Sequence, residues 1–362
     1  MEIFDVSIQK TIEDSLNKAF KERGHLNILI AGRSGVGKST LINEIFQGNF
    51  TETGQGRPVT QTTKEITKKD IPLTILDTKG LEMAEYEKTF EELERLVLSR
   101  NKNETDPMRH IHVAWICIHE DGRRVEQAEI ELHNLLSRHM PVIGVITKAR
   151  SDNNFKSEVE KLLPEARNVM RVRALAEELD EGHKLQPMGL KELVELTLEL
   201  IPESAQRAFV AAQKVSMKLK KEQANKIVYA AAAAASAAGA VPIPIADAVV
   251  IVPVQIGMLA KISSVFGLKP SEALLKTLVA SLVGTTAAAM TGRAVVSGLL
   301  KLIPGAGTIV GGAIAAATAG TITTTLGKIY IATLESICAK SMGIFPNQDE
   351  IVSEFKKRLS GK

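Results

Sequence analysis

The sequence predicts an α/β domain, with a mostly parallel sheet and flanking helices, followed by an all-α hydrophobic second half. Three observations carry this. Strand-length apolar runs alternate with charged, helix-periodic segments from Leu26 to about Pro202. A glycine-rich phosphate-loop pattern stands between the first such run and the first helix-forming segment. Beyond Ala205 charge almost vanishes: Asp247 is the only formally charged residue between Lys226 and Lys261, and Leu302 to Gly327 carries none.

The elements follow in order. Ile8, Ile12, Leu16 and Phe20 recur every four residues, the stripe of an amphipathic helix over residues 1–25 that packs on another surface. The acidic residues from Glu2 onward and the lack of an apolar core segment argue against a secretory signal. The runs LNILIAG, IPLTILD, HIHVAWICI, PVIGVITK and VMRVRAL read as parallel strands joined by crossover helices such as YEKTFEELERLVLSR, which sets an α/β domain over 26–203. A hydrophobic helical domain is expected over 204–342. Pro242, Pro244, Pro253 and Pro304 punctuate it, so IVYAAAAAASAAGAVPIPIADAVVIVPVQIGMLAKI fits two short helices in a hairpin better than one spanning helix. The tail 343–362 returns to ordinary amphipathic helix.

Totals narrow the chemistry. The 362 residues suit two domains. Lys plus Arg number 45 against 42 Asp plus Glu and aromatics are 4%, so no basic, stacking surface for nucleic acid is expected. Cys117 and Cys338 are the only cysteines, which disfavours a disulfide framework or a cysteine metal site and fits a reducing, cytoplasmic compartment.

The chemistry begins at LNILIAGRSGVGKSTLIN. Gly32, Arg33, Ser34, Gly35, Val36, Gly37, Lys38, Ser39 and Thr40 form the phosphate loop: glycines let successive N–H groups face phosphate, Lys38 neutralises β and γ oxygens, and the Ser39 hydroxyl ligates Mg²⁺. The following helix adds its positive N-terminal end. In IPLTILDTKG a strand delivers Asp77, which would hold Mg²⁺ through water, and Gly80, whose N–H would sense the γ-phosphate. Between the two lies GQGRPVTQTTKEI, read as a Gly/Thr-rich loop in which Thr60 reaches the metal, with Thr62 and Thr63 as alternatives, or else as an edge strand that these hydroxyls decorate.

In this order GRSGVGKSTLIN, PVTQTTKEI, LDTKG and VITK resemble the G domains of the translation-factor-related GTPase class, most of all its septin and immune-associated branches. TGQGRPVTQ with VPIPIADAVVIVPVQIGMLAKI resembles Era-like GTPases that carry an uncharacterised hydrophobic C-terminal domain. The helix, G domain and helical domain arrangement is also similar to immunity-related GTPases. The resemblance implies a Mg²⁺-dependent protein that binds GTP and GDP, with Lys38, Thr60 and Gly80 at the reaction and Ser39, Thr60 and Asp77 at the metal.

Two departures bear on that implication. Thr147 and Lys148 match the family's base-binding motif, but Arg150 stands where an aspartate reads guanine, and an arginine has no acceptor. Asp152 is then either the replacement reader or the N-cap of the next helix. Ala174 is expected to offer its N–H to the base. Leu81 follows Gly80 and cannot orient water as a glutamine does, so Arg33, Arg123 and Arg124 are candidates for charge supplied across a G-domain homodimer. A nucleotide-locked assembly protein and a relaxed-specificity NTPase are the competing readings. The net positive charge of the nearly uncharged half suits an anionic lipid surface, hence a membrane-associated switch is expected. Asp247 costs roughly 2.5–3.5 kcal/mol at a bilayer centre, so the number of spans is left open. Gly307 and Gly311 have the spacing of closely approaching helices.

Overall fold

In the computed structural model, residues 2–48, 50, 55–58, 63–78, 86–239, 246–271, 273–275, 277–278, 281, 312–341 and 347–360 are described. The chain forms two compact units, one of Arg23–Met217 and one of Met1–Glu22 with Lys218–Lys362.

The first unit is built on β1 (Leu26–Ala31), β2 (Gln55–Pro58), β3 (Thr63–Thr67), β4 (Leu73–Thr78), β5 (Val113–His119), β6 (Val142–Thr147) and β7 (Asn168–Arg171). These pair in the order β2-β3-β4-β1-β5-β6-β7. Pairings of β1 with β4 and β5, of β5 with β6 and of β6 with β7 are parallel, as the five apolar runs predicted. The Gly/Thr-rich segment supplies edge strands, the alternative to a loop: β2 and β3 pair antiparallel, and β3 pairs antiparallel with β4. In β3, Thr63 and Ile66 are buried and Lys64 and Thr67 exposed.

Every residue of β1 and β6 is buried, as a sheet covered on both faces requires. Helices α2 (Lys38–Ile45), α3 (Tyr86–Asn101), α4 (Gln127–Leu136) and α5 (Phe155–Leu162) connect the strands. One face packs Leu93, Val97, Leu132, Leu136 and Phe155 into the core. Trp115, fully buried at the centre of β5, stacks on Phe46 at 6.0 Å. Helices α6 (Leu190–Leu200) and α7 (Glu203–Ala212) complete the unit. α7, nearly all of which lies beyond residue 203, packs on this unit: Phe209 is fully buried against Phe46, and the Gln47 amide donates to the Ala211 carbonyl at 2.9 Å.

The second unit contains α1 (Glu2–Arg23, with Arg23 itself in the first unit), α8 (Met217–Gly239), α9 (Ala246–Val265), α10 (Gly312–Ser341) and α11 (Gln348–Leu359). The long apolar run is two helices. They run antiparallel, since Lys220 near the start of α8 bonds the Val265 carbonyl at the end of α9. Pro253 lies within α9. Small residues bring the helices close: a Cβ on Gly327 would lie 2.5 Å from Val228 and 3.0 Å from Met258. The N-terminal helix joins this unit, with Ile12 fully buried and Glu22 paired to Lys261 at 2.7 Å. Among the described residues, no helix is long and apolar enough to cross a membrane. Gly307, Gly311 and the Asp247 side chain lie outside the described residues.

Candidate nucleotide site

The phosphate loop leaves the carboxyl end of β1, the strand at which the chain changes its direction of growth along the sheet, where open α/β sheets bind ligands. Gly32, Gly35 and Gly37 have φ of 145°, 75° and 104°. At Gly32 glycine is also required by space, because a Cβ would sit 2.4 Å from the Cys117 carbonyl oxygen. Lys38 opens α2, and its ammonium donates to the carbonyls of Gly32 at 2.7 Å and Arg33 at 3.2 Å, so it lies across the loop. Ser39, exposed, and Thr40 occupy the helix's first turn, and Val36 is buried beneath.

Two residues of the Thr-Lys motif fasten this loop from β6. The buried Thr147 hydroxyl lies 2.6 Å from the Val36 carbonyl and 3.2 Å from that of Ile118. Lys148, with a left-handed φ of 51°, donates to the Gly35 carbonyl at 2.9 Å. The motif that binds base in the resembling family is thus physically part of the phosphate cradle.

Asp77, the last residue but one of β4, lies opposite Ile30 of β1, beside the loop. Burial pushes its carboxyl above the ordinary range, opposed by Lys38 and Lys64. Its Oδ1 is buried and has no hydrogen-bond partner among the described residues. A hard oxygen left unsatisfied next to a phosphate loop, with the exposed Ser39 hydroxyl, fits Mg²⁺. Thr60 and Gly80 lie outside the described residues, as do Thr62 and Leu81. Thr63 is buried in β3, opposite Thr78. Cys117 contributes no nucleophile, for burial pushes its thiol up to about 12.

The base loop shows what sequence reasoning missed. Glu120, at the end of β5 and fully buried, accepts the N–H groups of Arg150 and Ser151, the latter at 2.9 Å, and Arg171 Nε at 2.6 Å. Burial alone would raise its carboxyl, but these donors outweigh it and hold it below the usual range. Arg173 reaches the Ala149 carbonyl at 2.5 Å and that of Gln186 at 2.7 Å, tying the loop to the following hairpin. An acidic residue directly after an apolar strand was the available signal for Glu120.

Asn154, not Asp152, is the N-cap of α5, but the Asp152 side chain satisfies a donor of the helix's first turn. Its Oδ1 accepts the Lys156 N–H at 2.9 Å at the start of α5 and lies 3.5 Å from Arg171 Nε. Arg150, in contrast, pairs with Glu177 through both carboxylate oxygens and lies 3.4 Å from Asp121. Ala174 follows β7 with its side chain half-buried. Arg123, one finger candidate, is engaged locally: it donates to the Ser151 and Asp152 carbonyls and covers Phe155 at 5.8 Å. Arg33 and Arg124 both pair with Glu126, at 3.1 and 3.0 Å, and line a cavity of about 470 Å³ beside Gly35 and His119.

Residues 27–148 match the family described as 50S ribosome-binding GTPase, and residues 204–360 match a domain of unknown function (DUF697). Cell division control protein 10 of Candida albicans is 29% identical over 173 residues, covering 41% of this chain and 48% of that protein. Mouse septin-9 is 26% identical over 215 residues, 52% of this chain and 34% of that protein. This chain therefore spans half or less of the length of these relatives. Among solved structures, a probable GTP-binding protein engB is 20% identical, covering 48% of this chain and 98% of that one at a TM-score of 0.33, which carries no argument. With the motif order and loop geometry above, residues 27–148 are similar to the GTPase domains of that family and of septins, and residues 204–360 to the domain of unknown function DUF697.

Proposed function

We propose that the chain binds GTP with Mg²⁺ and hydrolyses it to GDP and phosphate, and that it works as a switch on the helical unit. The phosphate loop, with Asp77's unsatisfied oxygen beside it, is the observation that supports this most. Loop N–H groups and Lys38 hold the β and γ phosphates. Ser39 and Asp77 hold Mg²⁺, which neutralises charge developing between those phosphates. Water adds to the γ-phosphorus as the bond to the bridging oxygen breaks, GDP leaves, and the released proton passes to solvent or phosphate. Thr60 and Gly80 are assigned to sensing the γ-phosphate, and Ala174 to the base.

Dimerisation through the G domain is part of the proposal. Arg33 and Arg124, both more than half exposed and held by one carboxylate, are placed to answer a neighbour's nucleotide. Association with an anionic lipid surface, from the cytoplasmic side, is supported by lysines bordering nearly uncharged helices. Lys38→Ala is the test: it is expected to abolish binding of fluorescent GDP and GTP, and unchanged binding would remove the assignment. Single-turnover hydrolysis across a range of protein concentrations separates an assembly-stimulated enzyme, whose rate rises, from a protein that keeps its nucleotide.

A further inference from the structure

Arg150 raises a question that the G-domain reading does not answer, namely what accepts the donors of guanine when the usual aspartate is an arginine. Asp152 is committed to the start of α5 and to Arg171. Asp121 stands behind the guanidinium, 3.4 Å from Nη1. Glu177 differs from both. It lies three residues after Ala174, fixed in a two-stranded hairpin in which it pairs with Leu185. Its side chain is 28% exposed and meets the Arg150 fork with both oxygens, leaving a lone pair on each. The field of Lys148 reaches it as well, behind the larger effect of Arg150. Lys148 is held at the Gly35 carbonyl at 2.9 Å, and Leu175, adjacent to Ala174, is 54% exposed.

We infer that Glu177, positioned by Arg150, is the carboxylate that selects guanine, an assignment that rests on the GTPase reading. The arginine then has a purpose: it carries no acceptor itself, but its planar fork holds a carboxylate from another loop at the place the aspartate has vacated. Guanine N1–H and N2–H₂ donate to the free lone pairs. Adenine presents an acceptor at N1, and meets repulsion there.

The test is calorimetric titration of the full chain with GDP, ADP and xanthosine diphosphate, in Mg²⁺, for wild type, Glu177→Gln, Glu177→Ala and Asp152→Asn. Glu177→Gln is expected to lose roughly 10- to 100-fold in GDP affinity and to gain affinity for xanthosine diphosphate, whose base has a carbonyl where guanine has its amine. The amide oxygen keeps one Arg150 donor, the other N–H of the fork loses its acceptor, and the NH₂ faces that carbonyl. A purely structural pair gives no such gain. Glu177→Ala is expected to bind GDP and ADP alike, weakly, through the phosphates. Retained GDP preference in both Glu177 variants, or the xanthosine gain appearing in Asp152→Asn instead, overturns the assignment. A wild type that binds ADP as tightly as GDP defeats the guanine reading itself, and this inference with it.

Discussion

Glu120 is where the base loop is most vulnerable. Its carboxylate is fully buried and satisfies two backbone N–H groups and one guanidinium, whose Nε has Asp152 as its second carboxylate at 3.5 Å. Glu120→Ala strands the two N–H groups and leaves Arg171 with Asp152 alone, and breaking a buried ion pair from one side costs about 3–5 kcal/mol. Glu120→Gln keeps one oxygen and turns an amide NH₂ toward a donor, forfeiting a charge-assisted bond at about 1.5–3 kcal/mol. The assay is built into the chain. Trp115 is the only tryptophan and lies fully buried in β5, so its emission in urea reports unfolding of the first unit alone. The midpoint should fall in the order wild type, Gln, Ala, with an unchanged slope. A double-mutant cycle with Arg171→Met should return a coupling of about 1.5–3 kcal/mol. If Glu120→Ala unfolds within about 1 kcal/mol of wild type, the network does not hold the loop and the argument fails.

Two further outcomes are expected from the same unit. Burial, then His112 and Arg23, lower the His25 pKa from 6.5 to about 4. The unfolded chain therefore binds this proton more readily, so stability is full above pH 6.5 and lost as pH falls toward 4: about 2 kcal/mol between pH 7 and 5. Urea curves at those two pH values check it, and His25→Gln should reduce the difference without removing it, since burial lowers the His112 pKa as well; an unchanged difference would assign the loss elsewhere. Gly32→Ala, with φ of 145° and a Cβ 2.4 Å from the Cys117 carbonyl, should cost about 2 kcal/mol or more and remove GDP binding, read by the same fluorescence and by calorimetry.

The five parallel strands were legible because parallel sheets bury both faces and their sequences become continuous apolar runs. The phosphate loop was legible because its glycines are dictated by backbone geometry within a few consecutive residues. The base loop was not. Glu120, Arg150, Arg171 and Glu177 come from four separate segments, with sequence separations of 27 to 51 residues in their bonds, and periodicity carries no information about such pairs. The antiparallel β2 and β3 stood only as the alternative to a loop, because an edge hairpin needs only one covered face and its polar residues suit either. From Ser204 on, α7 lies within the residues that match the helical domain of unknown function, while Phe209 buries it in the first unit.

The order of units along the chain has a consequence for how hydrolysis could be felt beyond the site. The first unit is an insertion: the chain begins in the helical unit, leaves it after Glu22 and returns at Lys218. Near its start the inserted unit is closely packed, since a Cβ on Gly24 would lie 2.1 Å from the Ser204 carbonyl at the start of α7. It follows that α1 is a structural part of the helical unit, although it precedes the G domain in sequence. Removing residues 1–22 takes Ile12, Ala19 and half-buried Phe20 out of that unit's core, and each large apolar side chain uncovered costs about 1.5–3 kcal/mol. The truncated chain should keep its Trp115 unfolding midpoint and its GDP affinity while its helical content melts at lower temperature by circular dichroism. If instead the Trp115 transition falls and the helical melt does not, α1 supports the nucleotide unit, and the two-unit division is drawn in the wrong place.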